Sequence, residues 1–198
     1  MIIHDVEQNT EEWLLCRLGK FTASNAHTIK VANIGLQTLC LKLVAERMTG
    51  KIEEGYKSPA MERGHELEEM AANAYELETG TITSKVGFCE LDEDTGASPD
   101  RLIGDDGLLE IKCKTDVVYL KELFGCEIDQ EHESQMQMQM YVTNRQWCDY
   151  VVYNPNFKQK SLIIKRINRD EVAIEKIKAG IENGKSMIKE MMEKLNGN

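Results

Sequence analysis

Apolar residues recur three and four positions apart over 36–49, where Leu36, Leu39, Cys40, Leu43, Val44 and Met48 share one face before Gly50. That spacing predicts a helix. Asn9 with Glu12 three residues on marks an earlier helix start and Gly19 its stop, so residues 10–18 form a short helix carrying Trp13 and Arg17. Thr22-Ala23-Ser24 announces another N-terminus, with Ser24 near the cap. After a polar connection over 51–59, a third helical pattern covers 60–79, with Leu67, Met70, Ala71, Ala74, Tyr75 and Leu77 suited to burial and Gly80 as the stop. The last helix, about 170–195, places Val172, Ile174, Ile177, Ile181, Ile188, Met191, Met192 and Leu195 near one stripe. Its other face is rich in Lys and Glu, the pattern of a core cover or a subunit contact.

Strand patterns fall at about 82–91, 96–99, 108–114, 147–153 and 160–167, with Asn154-Pro155-Asn156 as the turn between the last two. The segment 116–126 fits a helix or a loop. Residues 131–142 alternate Gln and Met, which suits a strand by period, but Gln, Met and Glu are good helix formers and the stretch is long. A helix there sets Gln135 and Gln139 on one face. The mixture predicts an α/β (α+β) fold. Neither repeats nor low-complexity linkers divide the chain, so one domain over 1–198 is expected.

Composition narrows the class. The 198 residues are 41% hydrophobic, enough for one substantial core. No apolar run approaches a membrane span, and the start Met-Ile-Ile-His-Asp-Val-Glu lacks the features of a signal peptide, so a cytoplasmic protein with no membrane partner is expected. Six scattered cysteines without a C-x-x-C pair argue against zinc, iron–sulfur clusters and disulfides, and read as reduced, mostly buried hydrophobes. The net charge of −10 disfavours a broad DNA-coating surface, since such binding rests on Lys and Arg. Residues 158–198 carry ten basic against six acidic side chains, which leaves −14 on residues 1–157.

One constellation speaks of chemistry. Ser98-Pro99-Asp100 precedes Glu110-Ile111-Lys112, with the turn signal Asp105-Asp106-Gly107 between them. On a strand Glu110 and Lys112 project together while Leu109, Ile111 and Cys113 face the other side. The turn folds Asp100 back beside Glu110, giving two hard oxygen ligands and a cation, a donor set suited to Mg²⁺ and phosphoryl chemistry. Glu68 flanks the buried face of its helix, where a carboxylate needs a metal or a cation, whereas Glu66 and Glu69 lie nearer solvent. Arg17 with Ser24 at a helix start makes an anion clasp. Gln135 and Gln137 are candidates to orient water or touch a nucleic-acid backbone; His132 is a lone histidine with a weaker claim.

Together these residues resemble the phage lambda exonuclease and related viral recombination exonucleases, within the PD-(D/E)XK nuclease superfamily. The likeness runs from about residue 7 to 155 through Gln8, Trp13, Arg17, Gly19 and Thr22-Ala23-Ser24, then Arg63-Gly64 with Glu68. It continues through the Asp100 and Glu110-Ile111-Lys112 motifs to Gln135-Met136-Gln137 and Met140-Tyr141-Val142-Thr143. It implies a restriction-endonuclease-like core, a central mixed β-sheet flanked by helices. It also implies a Mg²⁺-dependent 5′-to-3′ exonuclease acting on double-stranded DNA ends, with Mn²⁺ as a substitute metal. Metal would be held by Glu68, Asp100, Glu110 and the Ile111 carbonyl. Lys112 and Gln135 would position water, and Arg17, Ser24 and Ser98 would bind a 5′ phosphate. The resemblance further implies a toroidal homotrimer and a single-strand annealing partner, in a bacterial or phage-infected cytoplasm. The alternatives are an endonuclease of the same superfamily, of restriction or junction-resolving type, and a non-catalytic DNA-binding assembly subunit.

Overall fold

The computed structural model describes residues 1–52, 59–195 and 197. Most of the expected 51–59 connection therefore lies outside the described residues. The chain folds as helices around two mixed sheets, an α/β arrangement as expected, but with two sheets where one central sheet was expected. The first sheet has the order β1-β4-β5-β2, built from Ile2–His4, Phe88–Asp92, Thr95–Ala97 and Phe21–Thr22. The second has the order β3-β6-β7-β8-β9, from Thr83–Ser84, Arg101–Ile103, Gly107–Cys113, Trp147–Tyr153 and Leu162–Asn168.

Two breaks in the chain produce this division. The expected strand 82–91 splits at Gly87, where the backbones of His4 and Val6 come so close that any Cβ would overlap them. Its halves join different sheets. The expected strand 96–99 stops at Ala97 because Pro99 has no N–H to give to a ladder, and the chain restarts at Arg101 in the second sheet. Asp100 thus stands at the crossing between sheets. Within the second sheet β7 and β8 are parallel, with Glu110 opposite Tyr150, and the other pairings are antiparallel.

The helices start and stop on local chemistry. Helix α1, Glu11–Arg17, is capped by Thr10 rather than Asn9; the Thr10 hydroxyl accepts the Trp13 N–H, while Asn9 takes a positive φ of 68°. A 3₁₀ turn, Ala23–Asn25, leads into α2, Ala26–Val31. Helix α3, Ile34–Thr49, ends on Gly50 in the left-handed region. Helix α4 is Pro59–Thr79, and α5, Asp116–Leu123, shows that the ambiguous segment is helical. Helix α6, Gln130–Thr143, is capped by Asp129 and stopped by Asn144 with φ 56°.

Helix α7, Glu171–Leu195, covers α2 and α3 through Ile177, Ile181 and Ile188. Gly180 makes that approach possible, since a Cβ there would overlap the Ile29 carbonyl. Several residues expected inside are exposed: Met48, Met70, Leu77, Val172 and Leu195. Of the cysteines, all free, Cys40, Cys89 and Cys148 are buried and Cys126 is exposed.

Candidate active site

Strand β7 separates two cores. Leu109 and Ile111 pack with Ala71, Ala72 and Tyr75 of α4, whereas Leu108 packs with Met136 and Met140 of α6. Alternation then sends Glu110 and Lys112 toward the α6 side. There Glu110, only 1% exposed, is gripped on both oxygens. Its Oε1 accepts the Lys112 ammonium at 2.6 Å and the Gln135 amide at 2.7 Å, and its Oε2 accepts the Gln139 amide at 2.7 Å. The two glutamines stand one helical turn apart, which is why both reach the same carboxylate.

Asp100 is tied to the same strand by accepting the Ile111 N–H at 2.6 Å. The crossing that carries it is fixed by Gln8, whose amide donates to the Pro99 and Val86 carbonyls at 3.0 and 2.9 Å. Burial, then the Glu110 carboxylate, push the Asp100 carboxyl well above the ordinary range; Glu68 adds to this and Lys112 opposes it. For Lys112 burial works to lower the ammonium, but Glu110 and Asp100 outweigh it and hold it above the usual lysine value.

Glu68 reaches the site from α4, though not as a free ligand. Arg101, beside Asp100 and buried, donates to Glu68 at 2.8 Å, Glu69 at 2.9 Å and the Asp100 carbonyl at 2.7 Å. Sequence reasoning missed this arginine; its place next to Asp100 was the available signal. Gln139 was noticed only as a face-mate of Gln135. Gln137 turns away from the site to bond the Asn168 carbonyl and the Asp170 N–H, so the expected water or backbone role is corrected: on a helix it cannot share the face of Gln135. His132 sits against the Tyr150 hydroxyl at 3.4 Å and does not line the cleft; burial, with Lys112 and Lys114, pushes its imidazole down to about 4.

The N-terminal group closes the same cleft. Arg17 stacks over Trp13 at 4.2 Å and donates to the Ser24 and Thr22 hydroxyls at 3.2 and 3.4 Å. Trp13 in turn donates to the Ser98 hydroxyl at 2.9 Å, linking the clasp to the segment that holds Asp100. Burial lowers the Arg17 guanidinium to about 10, which leaves it charged at neutral pH. One cleft of about 530 Å³ is lined by Arg17, Ser24, Glu68, Ser98, Asp100, Glu110, Ile111, Lys112 and Gln135, the residues to which the family resemblance gives a role.

The donors fit a hard divalent cation. The carboxylates of Asp100, Glu110 and Glu68 share one cleft, and the negative charge that Glu110 and Glu68 add at the already buried Asp100 is what a cation relieves. Among the described residues no three acidic, histidine or cysteine side chains converge into a ready-made cage. Mg²⁺ in general keeps waters and shares its shell with substrate phosphates, so it needs few protein ligands.

Comparison with known proteins places this geometry. The model of the YqaJ-like viral recombinase domain matches residues 12–146. The fold is similar to an alkaline exonuclease from Laribacter hongkongensis, with 36% identity over 94% of this chain and 96% of that one, at a TM-score of 0.88. The same enzyme in complex with dAMP aligns at 0.87. A phage-related exonuclease from Haemophilus somnus, 16% identical over 89% of this chain and 96% of that one, shares the fold at 0.68. No curated protein matches the chain significantly. With the family model spanning both the Arg17–Ser24 segment and the acidic strand, the chain belongs to the YqaJ-like viral recombinase domain family, and its fold is that of the alkaline exonucleases.

Proposed function

We propose that this protein is a Mg²⁺-dependent exonuclease that degrades one strand of duplex DNA, 5′ to 3′, from a 5′-phosphorylated end. It would leave a 3′ single strand for a recombination partner in a bacterial or phage-infected cytoplasm. The observation that carries this reading is that one cleft holds both the acidic Asp100/Glu110/Lys112 group and the Arg17/Ser24 clasp. Hydrolytic residues alone suit any phosphodiesterase. A clasp for a terminal anion beside them makes a chain end the substrate.

Asp100, Glu110 and the Ile111 carbonyl would hold the metal, with Glu68 contributing directly or through water, and Mg²⁺ there would supply a Lewis acid that lowers the pKa of water and offsets charge on the phosphate. Lys112, kept protonated by its carboxylate neighbours, donates to the attacking water and adds positive charge near the transition state. Gln135, bonded to Glu110, offers its carbonyl oxygen beside the Lys112 ammonium and orients that water. Arg17, Ser24 and Ser98 hold the 5′ phosphate, fixing how far the chain end enters. The Laribacter hongkongensis relative is known with dAMP bound, a mononucleotide of the kind such trimming releases.

A net charge of −10 on a chain that acts on DNA suits a homo-oligomer, in this reading a toroidal trimer, that encloses the duplex and keeps most acidic side chains outside. No helix among the described residues is long and apolar enough to cross a membrane. The test is digestion of linear 5′-phosphorylated duplex and covalently closed circular DNA with Mg²⁺. Linear DNA is expected to be consumed and circular DNA left whole, with Asp100→Ala inactive. Cutting of the circle would make the enzyme an endonuclease, and intact linear DNA would remove the nuclease reading.

A further inference from the structure

The cleft contains a cation that neither the metal centre nor the 5′-phosphate clasp uses. Lys114 follows Glu110 and Lys112 at the same two-residue step and lines the cleft beside them. Although β7 ends at Cys113, the Lys114 N–H donates to the Tyr153 carbonyl at 3.2 Å and carries the pairing with β8 one residue further. Strand alternation therefore applies to it, and Glu110, Lys112 and Lys114 share one side. Its own carbonyl accepts the Asn154 amide at 3.1 Å and the Arg63 guanidinium at 3.3 Å. Asn154 is fully buried and anchored in turn on Asp116 at 2.9 Å. The Lys114 side chain thus springs from a peptide held at both its N–H and its carbonyl.

Lys112 is bound to Glu110 at 2.6 Å, whereas Lys114 makes no ion pair among the described residues. Burial first, then repulsion from Lys112, lower the Lys114 ammonium from its usual value, and the pull of Glu122 and Asp129 offsets only part of this. A half-buried cation beside another cation is an unfavourable arrangement that an anion corrects. Arg17, the other cleft cation without a carboxylate pair among the described residues, is already committed to the chain end by the proposed reading. Successive same-face strand residues lie about 7 Å apart, close to the separation of neighbouring phosphates along a nucleic-acid strand.

We propose that Lys114 binds a backbone phosphate of the strand being cut, adjacent to the scissile one, and so sets affinity for the DNA end. A flexible ammonium suits this task because phosphate contacts fix register without reading sequence. The inference rests on the nuclease reading but is tested apart from turnover. Binding of a 5′-phosphorylated duplex in EDTA is measured across a salt series for wild type, Lys114→Gln and Lys114→Arg. Losing one phosphate contact lowers the slope of log affinity against log salt by about 0.9. It also weakens binding about eightfold near 0.1 M salt, as one fewer counterion is released. Lys114→Arg is expected to restore the slope, and the preference for 5′-phosphate over 5′-hydroxyl ends is expected to match wild type in both variants. An unchanged slope in Lys114→Gln, with wild type still digesting DNA, overturns the Lys114 role alone. Failure of wild type to digest DNA overturns the nuclease reading and this one with it.

Discussion

Adjacent parallel strands of the second sheet each carry a buried carboxylate, and their surroundings differ in kind. Asp149 on β8, 3% exposed, receives both nitrogens of Arg166 at 2.8 Å and the Tyr75 hydroxyl at 2.7 Å. Arg166 also stacks on Trp147 at 3.7 Å. That carboxylate faces α4, and a full counter-charge answers it. Glu110 on β7 faces α6, and two neutral amides and one lysine answer it while Asp100 and Glu68 add negative charge nearby. The lesson is that burial alone does not mark a functional acid. A buried acid whose neighbourhood is balanced serves structure; one left with excess like charge is poised for a cation and for chemistry.

The contrast can be broken from either side. Glu110→Gln should remove nuclease activity by about 10³-fold or more, the scale for losing a group that acts in the transition state, while costing less stability than the loss of Asp149, because removing its charge also relieves Asp100. Asp149→Ala should do the reverse. It strands Arg166 and Tyr75 and costs about 3 kcal/mol, the low end for a broken buried pair because Arg166 is half exposed; activity per folded molecule should persist. If denaturant unfolding found the two variants equally destabilised, the distinction would collapse.

Arg17→Ala tests how far the site's function extends beyond the acidic strand. It should slow digestion of 5′-phosphorylated ends by about tenfold to a hundredfold, the scale of a lost charged hydrogen bond, and 5′-hydroxyl ends far less. Equal losses on both ends would deny the clasp.

Acid–base behaviour sharpens the comparison further. The folded Asp100 carboxyl binds its proton more tightly than it does in the unfolded chain, so ionising it opposes folding. Metal-free protein should therefore lose stability as pH rises from the ordinary aspartate value through the raised one. Mg²⁺ should offset that loss, giving a larger rise in thermal midpoint at pH 8 than at pH 5. A metal increment independent of pH would count against Asp100 as the ligand.

The smallest effect concerns His132. Its imidazole, held neutral down to about pH 4, contributes stability that fades as pH falls from 6.5, where the unfolded ring charges, toward 4. His132→Asn should flatten that acid limb in thermal melts while leaving nuclease activity near wild type.

Much of the site was legible because its signals are local. Two-residue alternation placed Glu110 with Lys112, a four-residue step placed Gln135 with Gln139, and a turn before β7 returned the chain toward Asp100. Glu68 was legible as a carboxylate beside a buried face, but its Arg101 partner lies 33 residues away, and the position of that arginine beside Asp100 says nothing of a pairing with α4. Gln137 looked equivalent to Gln135 by residue type; the side of α6 it occupies decided otherwise. The two sheets escaped notice because the strand pattern of 82–91 continues through Gly87, and nothing in that pattern shows which backbone lies against it.

By itself the sequence determined where most helices run, their apolar stripes, the face of β7 that carries Glu110 and Lys112, and the hard-oxygen character of the centre. These follow from dihedral periodicity and side-chain chemistry, which act within a few residues. Tertiary structure alone decided that α6 closes over Glu110 with two amides, that Arg101 ties Glu68 to the Asp100 backbone, and that Trp13 and Ser98 join the clasp to the acidic strand. Those contacts join residues distant in sequence, and packing between layers, not local preference, selects them.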